Sequence, residues 1–185
     1  GNATTDAEAS SAVESVAENA ANEKLPILSK ETLPPDWQGE HPVLCVAGRT
    51  LIDEAAAIML AQLSTAHGLG ARVEGPTALS TANIFRLDTT GVAVVCLVYV
   101  DGAGPAHMRY SVRRLRRKIP RATIILGCCV KEIDSAALEL LREGAKADLI
   151  ATSLGETVNL CIEATRTKDQ RQEVPRQGNS ATEAA

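Results

Sequence analysis

The run GVAVVCLVYV, at residues 91–100, is apolar at nearly every position. A strand with this pattern has to be covered on both faces, as a central strand of a parallel sheet is. Four further short apolar segments, at 42–48, 69–75, 122–129 and 148–153, alternate with segments of helical periodicity. Such alternation requires parallel pairing through right-handed crossovers. The sequence therefore predicts an α/β fold, a flavodoxin-like doubly wound sheet of five parallel strands in the order 2-1-3-4-5, with helices on both faces.

Helices are predicted between the strands at 50–68, at 77–87, from Pro105 onward, at 133–145 and at 153–165. Thr50 with Asp53, and Ser153 with Glu156, have the spacing of capping boxes, and Gly68 is expected to end the first helix. The residues of this first helix that recur at helical spacing are predicted to face the core: Ile52, Ala55, Ala56, Met59 and Leu63.

The chain of 185 residues has room for one domain with a single core and for tails at both ends. Residues 1–41 contain eight acidic and two basic residues and few large apolar ones, which indicates a flexible acidic linker. Residues 42–164 are the predicted domain, and residues 165–185 a disordered polar tail. The first residue is Gly1 instead of Met, so the chain is expected to be an excised piece of a longer protein.

The five cysteines lie inside apolar runs without metal-ligand spacing, so they are interpreted as reduced, buried thiols in a cytoplasmic compartment. No run approaches the roughly 18 uninterrupted apolar residues of a membrane span. The three histidines are too dispersed to predict a metal site. No cofactor is expected.

Polar residues follow the strands at the carboxyl edge of the predicted sheet, where doubly wound folds bind ligands. No Gly-rich phosphate motif is present, and no complete catalytic set is recognised, so no enzymatic role is predicted. Anion binding at the start of the first helix, beside Arg49, stays open. The candidate ligand-binding residues at this edge are Arg49, Thr50, Asp101, His107, Cys128 and Ser153.

The run HMRYSVRRLRRKIPR, at 107–121, packs seven Arg or Lys residues into fifteen positions of a chain whose net charge is −4. Met108, Val112, Leu115 and Ile119 recur at helical spacing and predict an apolar stripe that faces the sheet. No Asp or Glu lies between 102 and 131, and unrelieved like charge is destabilising, so an anionic partner is expected. The predicted basic surface consists of Arg109, Arg113, Arg114, Arg116, Arg117 and Lys118.

Three anionic partners are considered for this surface: the acidic linker, a membrane surface and nucleic acid. Nucleic acid fits least, because residues 42–164 hold 13 basic and 12 acidic residues and the sequence predicts no aromatic stacking surface. Anionic lipid fits a protein held near a membrane, where each basic residue contributes on the order of 1 kcal/mol.

The segments VLCVAGRTLIDEAAAIMLAQLSTAHGLGARV, at 43–73, and LDTTGVAVVCLVYVDGAGPAHMRYSVRRLRRKIPRATIILG, at 87–127, resemble the soluble C-terminal domain of some bacterial permeases of the autoinducer-2 exporter family. The resemblance implies a cytoplasmic appendage of an inner-membrane transporter, whose partners would be the transmembrane part of the same protein, the anionic membrane surface, or a second copy of the domain.

The same residues resemble, more distantly, the cobalamin-binding module. In that family the loop after the first strand carries D-x-H-x-x-G, whose His binds cobalt, whereas this loop reads GRTLIDEA and has no His. The resemblance therefore implies the shared fold without His-ligated cobalamin. The expected function is a non-enzymatic regulatory or interaction domain of a permease, at the cytoplasmic face of the bacterial inner membrane. The alternative is a small-ligand sensing domain.

Overall fold

The computed structural model describes residues 25–100, 104–129 and 135–172. Its strands are β1 (Val43–Ala47), β2 (Ala71–Glu74), β3 (Val94–Tyr99), β4 (Thr123–Cys128) and β5 (Leu149–Ala151). Its helices are α1 (Leu51–Ala66), α2 (Pro105–Lys118), α3 (Ser135–Ala145) and α4 (Leu154–Gln172).

The five strands form one parallel sheet in the order β2-β1-β3-β4-β5, which confirms the predicted flavodoxin-like topology. β1 and β3 are neighbours in the middle of the sheet, and every residue of both strands is buried. The chain runs from β1 outward to β2 and then returns to β3. The strand order therefore reverses between β1 and β3, where sheets of this kind bind ligands.

Successive strand residues point to opposite faces of the sheet and form two core clusters. One cluster joins residues of β1 and β3 to α1 and α4, and includes Trp37 and Leu33 from the chain before β1. The other joins the alternate strand residues to segment 78–87, α2 and α3. In α2 the predicted stripe is confirmed, because Met108, Val112, Leu115 and Ile119 are all buried in this second cluster.

Of the five residues predicted to form the core-facing side of α1, Ala56 is buried, but Ile52, Ala55, Met59 and Leu63 are exposed, so the predicted side is wrong apart from Ala56. Ile52 and Met59 are 60% and 53% exposed, and the helix instead buries its other side, with Asp53, Ala56, Ala57, Leu60, Ala61 and Ser64. Aliphatic residues lie all around α1, so its periodicity offered two apolar stripes. The choice between them is made by the buried carboxylate of Asp53, which bonds the backbone of Val100 after β3 and so sets the rotation of the helix.

Residues 25–41 pack onto the domain, unlike the flexible linker that their composition indicated. Trp37 is 1% exposed, and Leu33 is buried beside it. The backbone N–H of Leu28 donates to the carbonyl of His67, at the end of α1 (2.9 Å). A single large aromatic side chain anchors this arm, and a composition average over 1–41 hides it.

Segment 77–87 forms consecutive turns in place of the predicted helix. The hydroxyl of Ser80 accepts from the backbone N–H of Asn83 (3.3 Å), and the Asn83 amide donates to the carbonyl of Thr77 (3.2 Å). Side chains that bond nearby backbone in this way compete with the helical pattern. The segment still buries Leu79, Ile84 and Leu87 against the sheet.

The final helix extends further than expected. α4 continues to Gln172, into the stretch at 165–185 that the sequence assigned to a disordered tail. Thr165, which was to begin the tail, is buried, and its hydroxyl donates to the carbonyl of Ile162 (2.7 Å). The remaining predicted tail, from 173, and the linker before 25 lie outside the described residues.

Replacing Gly70 by Ala tests the packing of the arm. A Cβ atom at residue 70 would lie 2.0 Å from the carbonyl oxygen of Glu40, so the backbone of the arm would have to move. We expect Gly70→Ala to lower the free energy of unfolding by about 2 kcal/mol, as overpacking against rigid backbone does. Urea titration followed by Trp37 fluorescence measures the change.

Gly155→Ala is the matched control, because nothing lies within 4 Å of a Cβ at that helical position. An equal loss of stability in both variants would show that residues 25–41 do not press on Gly70 in solution.

Candidate functional site

The carboxyl edge of the sheet is organised by the buried carboxylate of Asp53, which has no exposed surface. Its Oδ2 accepts from the backbone N–H groups of Arg49 (2.8 Å) and Thr50 (3.0 Å), in the loop after β1. Its Oδ1 accepts from the N–H of Val100, directly after β3 (2.7 Å). One carboxylate thus joins the two central strand ends. The predicted capping box is confirmed, since the Thr50 hydroxyl accepts from the N–H of Asp53 (3.1 Å).

The electrostatics of Asp53 follow from these contacts. Desolvation alone would raise its pKa, but hydrogen bonds from Val100, Arg49 and Thr50 outweigh it and hold the pKa below its ordinary value. The side chain is therefore a buried anion at neutral pH whose bonding capacity is occupied by the backbone. It stabilises the conformation of the loop after β1 and has little remaining capacity to accept hydrogen bonds from a ligand.

His107 and Arg49 lie at the same edge of the sheet, after the neighbouring strands β3 and β1. His107 is half-buried in the first turn of α2, with its ring edge-on to Tyr99 at a centroid distance of 6.0 Å. Burial, together with the guanidinium of Arg49, lowers the pKa of His107, against the opposing effect of Asp53. The imidazole is therefore mostly neutral at pH 7, and the side chain of Arg49 at the same edge is exposed.

Tyr99 closes the space beneath the loop after β1. A Cβ atom at residue 48 would lie 2.3 Å from its ring, so only Gly48 fits there. The hydroxyl of Tyr99 donates to the Ser111 hydroxyl (3.1 Å), and burial raises the pKa of Tyr99 to about 12. The loop Gly48–Thr50 is thus held by Asp53 on one side and by an aromatic ring on the other. With no His in it, this loop does not fit a His-ligated cobalamin.

Ser153 lies elsewhere on the same edge. It follows β5, which is three strand positions from β1, or roughly 14 Å. Its hydroxyl accepts from the N–H of Glu156 (3.1 Å), as the predicted cap requires. In a capping box the carboxylate of Glu156 would accept from the backbone N–H of Ser153. Here it accepts instead from the N–H and the hydroxyl of the preceding residue, Thr152 (2.7 and 2.8 Å). The Ser153 side chain thus caps a helix and lies well away from Arg49.

Cys128, proposed as a ligand-binding residue, is fully buried. Its thiol donates to the sulfur of Met108 (4.0 Å), and burial raises the pKa of Cys128 to about 12. Four of the five cysteines are buried, as predicted, and Cys129 is half-buried. Cys96 and Cys161 approach within 3.4 Å as free thiols, and hydrogen bonds with Cys161 and Cys45, together with burial, raise the pKa of Cys96. These thiols pack the core.

The remaining candidate, Asp101, lies outside the described residues, as do the rest of 101–103 and 130–134 at the same edge. Within the described ranges, no group of three or more His, Cys, Asp or Glu side chains could hold a metal ion. None of the helices in those ranges combines the length and the apolarity of a membrane span.

The basic surface of α2 is less uniform than the sequence indicated. Arg116 turns inward, where it donates to the Asp148 carboxylate (2.5 Å) and to the carbonyl of Ala122 (2.8 Å). Asp148 comes from the chain before β5, so a search for nearby acids in sequence could not find it. Arg109, Arg113 and Arg117 are exposed and make no salt bridge within the described part of the chain.

A groove of about 440 Å³ lies between segment 77–87 and α2, and sequence reasoning missed it. Its lining includes two aromatic side chains, Phe85 and Tyr110, which are 81% and 53% exposed. The chain has one Trp, two Tyr and one Phe, and the other two of these four, Trp37 and Tyr99, are buried. The basic residues of the groove are Arg114, Arg117 and Lys118. An exposed aromatic surface therefore exists beside the basic helix, contrary to the expectation from sequence.

No protein-family model matches the chain, and no curated protein matches it. Among solved structures, it is similar to a novel cobalamin-binding protein from Desulfitobacterium hafniense DCB-2, with a TM-score of 0.50 and 14% identity. The match covers 67% of this chain and 58% of that protein, so the chain spans little more than half its length. At this identity the likeness shows a shared fold. The resemblance to exporter domains stays a prediction.

Replacing Asp53 by Asn tests its role as the organiser of this edge. The amide would set N–H donors against the N–H groups of Arg49 and Thr50, or lose the bond to Val100. We expect Asp53→Asn to lower the free energy of unfolding by about 3 kcal/mol at neutral pH. Glu54→Gln, one residue along the same turn, is the control and should cost less than about 1 kcal/mol.

The lowered pKa of Asp53 also predicts that the stability difference between wild type and Asp53→Asn depends on pH. The folded state holds Asp53 ionised to lower pH than the unfolded chain, in which its pKa is about 3.9. Below about pH 4 the unfolded chain therefore binds more protons at this residue than the folded protein does. The stability that the ionised carboxylate of Asp53 contributes is lost as the pH falls through its folded pKa. The difference between wild type and Asp53→Asn in urea melts should thus shrink between pH 6 and pH 3. A constant difference would contradict this.

Proposed function

We propose that this chain is a non-enzymatic regulatory or interaction domain that docks, through the exposed basic side of α2, on an anionic membrane surface. In this proposal it belongs to the cytoplasmic side of a bacterial inner-membrane permease. The observation that carries the proposal is the set of exposed arginines on α2, Arg109, Arg113 and Arg117, which have no salt-bridge partner within the described residues.

The charge distribution on α2 supports binding of an anion from outside the domain. Arg116 is the only basic residue of α2 in a salt bridge with another described residue, so most of the helix's charge is not neutralised from within. Repulsion among like charges at helical spacing of three and four residues favours any arrangement that brings negative charge nearby. A lipid surface supplies that charge over a wide area.

The exposed aromatic rings beside these arginines also support binding to a membrane surface. Phe85 and Tyr110 lie at the border of the basic surface. Aromatic side chains favour the headgroup region of a bilayer, and they commonly accompany basic residues in proteins that bind at the surface without crossing it. The sequence resemblance to the cytoplasmic domains of exporters is the reason for preferring a permease as the parent protein.

Sedimentation with lipid vesicles tests the proposal. The protein is mixed with phosphatidylcholine vesicles that contain or lack phosphatidylglycerol. We expect binding only to the anionic vesicles, weakening as the ionic strength rises. The triple variant Arg109→Gln, Arg113→Gln, Arg117→Gln should bind about a hundredfold more weakly, at about 1 kcal/mol for each charge. Arg116 is left unchanged because its salt bridge is internal.

A second triple variant is the matched control: Lys30→Gln, Arg142→Gln, Arg166→Gln. It removes the same charge from exposed positions outside α2. Binding close to wild type in this control supports the proposal. An equal loss in both triple variants would show that net charge, and not the surface of α2, governs association.

Small-ligand sensing at the strand ends is the second candidate, favoured by the placement of Arg49 after β1 and of His107 after β3, the neighbouring strands between which the strand order reverses. An exposed guanidinium beside a neutral imidazole suits a small oxyanion. A thermal-shift series with inorganic phosphate and cobalamin tests it. We expect phosphate to raise the melting temperature and Arg49→Gln to abolish the rise, with Arg86→Gln as the control. No phosphate shift in wild type would exclude this candidate.

A further inference from the structure

The groove between segment 77–87 and α2 is concave and has the dimensions of a small-molecule site. Its volume of about 440 Å³ falls within the range of roughly 300–1,000 Å³ that such sites occupy. One wall is the turn segment, with Thr81, Ile84 and Phe85. The other is α2, with Tyr110 and the basic residues Arg114, Arg117 and Lys118.

Two of the three basic side chains of the groove, Arg114 and Lys118, are held in position. Arg114 donates to the Thr81 hydroxyl (3.2 Å) and to the Tyr110 hydroxyl, and its guanidinium lies 5.2 Å from the centre of the Tyr110 ring. Lys118 donates to the carbonyl of Phe85 (3.3 Å). These contacts join α2 to the turn segment across the groove. A ligand would therefore meet two charges that are already oriented, which lowers the entropic cost of binding.

The polarity of the groove selects an anion. Three of its lining side chains are cationic, and none is acidic. Guanidinium groups bind phosphate oxygens in a bidentate manner, and ammonium groups add a point charge. A neutral or cationic ligand would leave these charges without compensation.

The aromatic side chains select a ring. Phe85 is 81% exposed although it is the one Phe in the chain. Its turn segment holds itself together through Ser80 and Asn83 and buries Ile84, so the exposure of Phe85 does not come from a poorly packed loop. The Tyr110 ring is already contacted by Arg114, which leaves the Phe85 ring to stack on a planar group.

We propose that this groove binds a small anion that carries a planar aromatic ring, with nucleoside phosphates as the chemical class: Arg114, Arg117 and Lys118 contact the phosphates and Phe85 stacks on the base. Arg117 belongs both to this groove and to the surface proposed to meet the membrane. A bound nucleotide would therefore reduce the charge available to lipid, and the two would compete.

Isothermal titration with ATP, in magnesium-free buffer and without vesicles, tests the proposal. Tripolyphosphate and adenosine are titrated separately as the two halves of the ligand. We expect ATP to bind more tightly than either half. Arg117→Gln should weaken ATP binding about tenfold. Phe85→Ala should weaken ATP binding about tenfold but leave tripolyphosphate binding unchanged, because only the base needs the ring.

Arg113→Gln is the matched control, since Arg113 is exposed on the same helix but does not line the groove. It should change ATP affinity by less than about twofold. Circular dichroism verifies that each variant is folded. Absence of ATP binding, equal effects of Arg113→Gln and Arg117→Gln, or an unchanged ATP affinity in Phe85→Ala would each overturn the proposal. Because no membrane is present, these outcomes are independent of the vesicle experiment.

Discussion

The Asp53 carboxylate is the contact on which the arrangement of the central strands depends. It lies in the first turn of α1, yet it bonds backbone N–H groups after β1 and after β3. An ionised group without exposed surface is costly unless its oxygens are satisfied, and here three backbone donors satisfy them. The same three bonds set the rotation of α1, the shape of the loop Gly48–Thr50 and the position of the chain directly after β3. A single buried carboxylate thus links, through hydrogen bonds, elements that are distant in sequence.

Much of the fold was predictable because it follows from local pattern. The strands alternate with helices, and the continuous apolar runs of β1 and β3 indicate burial on both faces, which is enough to place them side by side. The stripe on α2 was predictable for the same reason, since Arg or Lys occupies six of the eight other positions from Arg109 to Lys118. In α1 the pattern was ambiguous, and a contact with Val100 decided which side is buried. Residues far apart in sequence decide such choices, and periodicity carries no information about them.

The candidate site was predictable only in part. Arg49, Thr50 and His107 follow strands that neighbour each other, so topology alone brings them to one edge. Cys128 was misjudged because the end of a strand does not guarantee exposure, and here Met108 covers the thiol. The groove at Phe85 arises where a turn segment meets a helix on the same face of the sheet. Its residues lie in two parts of the chain, and nothing in either part indicates the other.

The basic helix combines two uses of arginine. Arg116 bonds Asp148, whose carboxylate also accepts from the N–H of Ile124 in β4 (2.7 Å), so this guanidinium fastens the helix to the far strands. Arg114 and Lys118 fasten the opposite side to the turn segment. The helix is therefore held at both flanks by the same residue types that give it its charge. Its exposed arginines project from a rigid base, which suits recognition of an anion with defined geometry.

The indole of Trp37 gives the arm before β1 a role that its polar composition conceals. It packs in the cluster beneath α1 and α4 and is the largest of the fully buried side chains in the described part of the chain. Loss of a buried aromatic side chain costs about 3–5 kcal/mol, a large share of the 5–15 kcal/mol that typically stabilises a domain. The packed unit therefore includes residues before β1. A fusion or a recombination event that joined another sequence directly to Val43 would transfer the sheet without the side chain that completes its core.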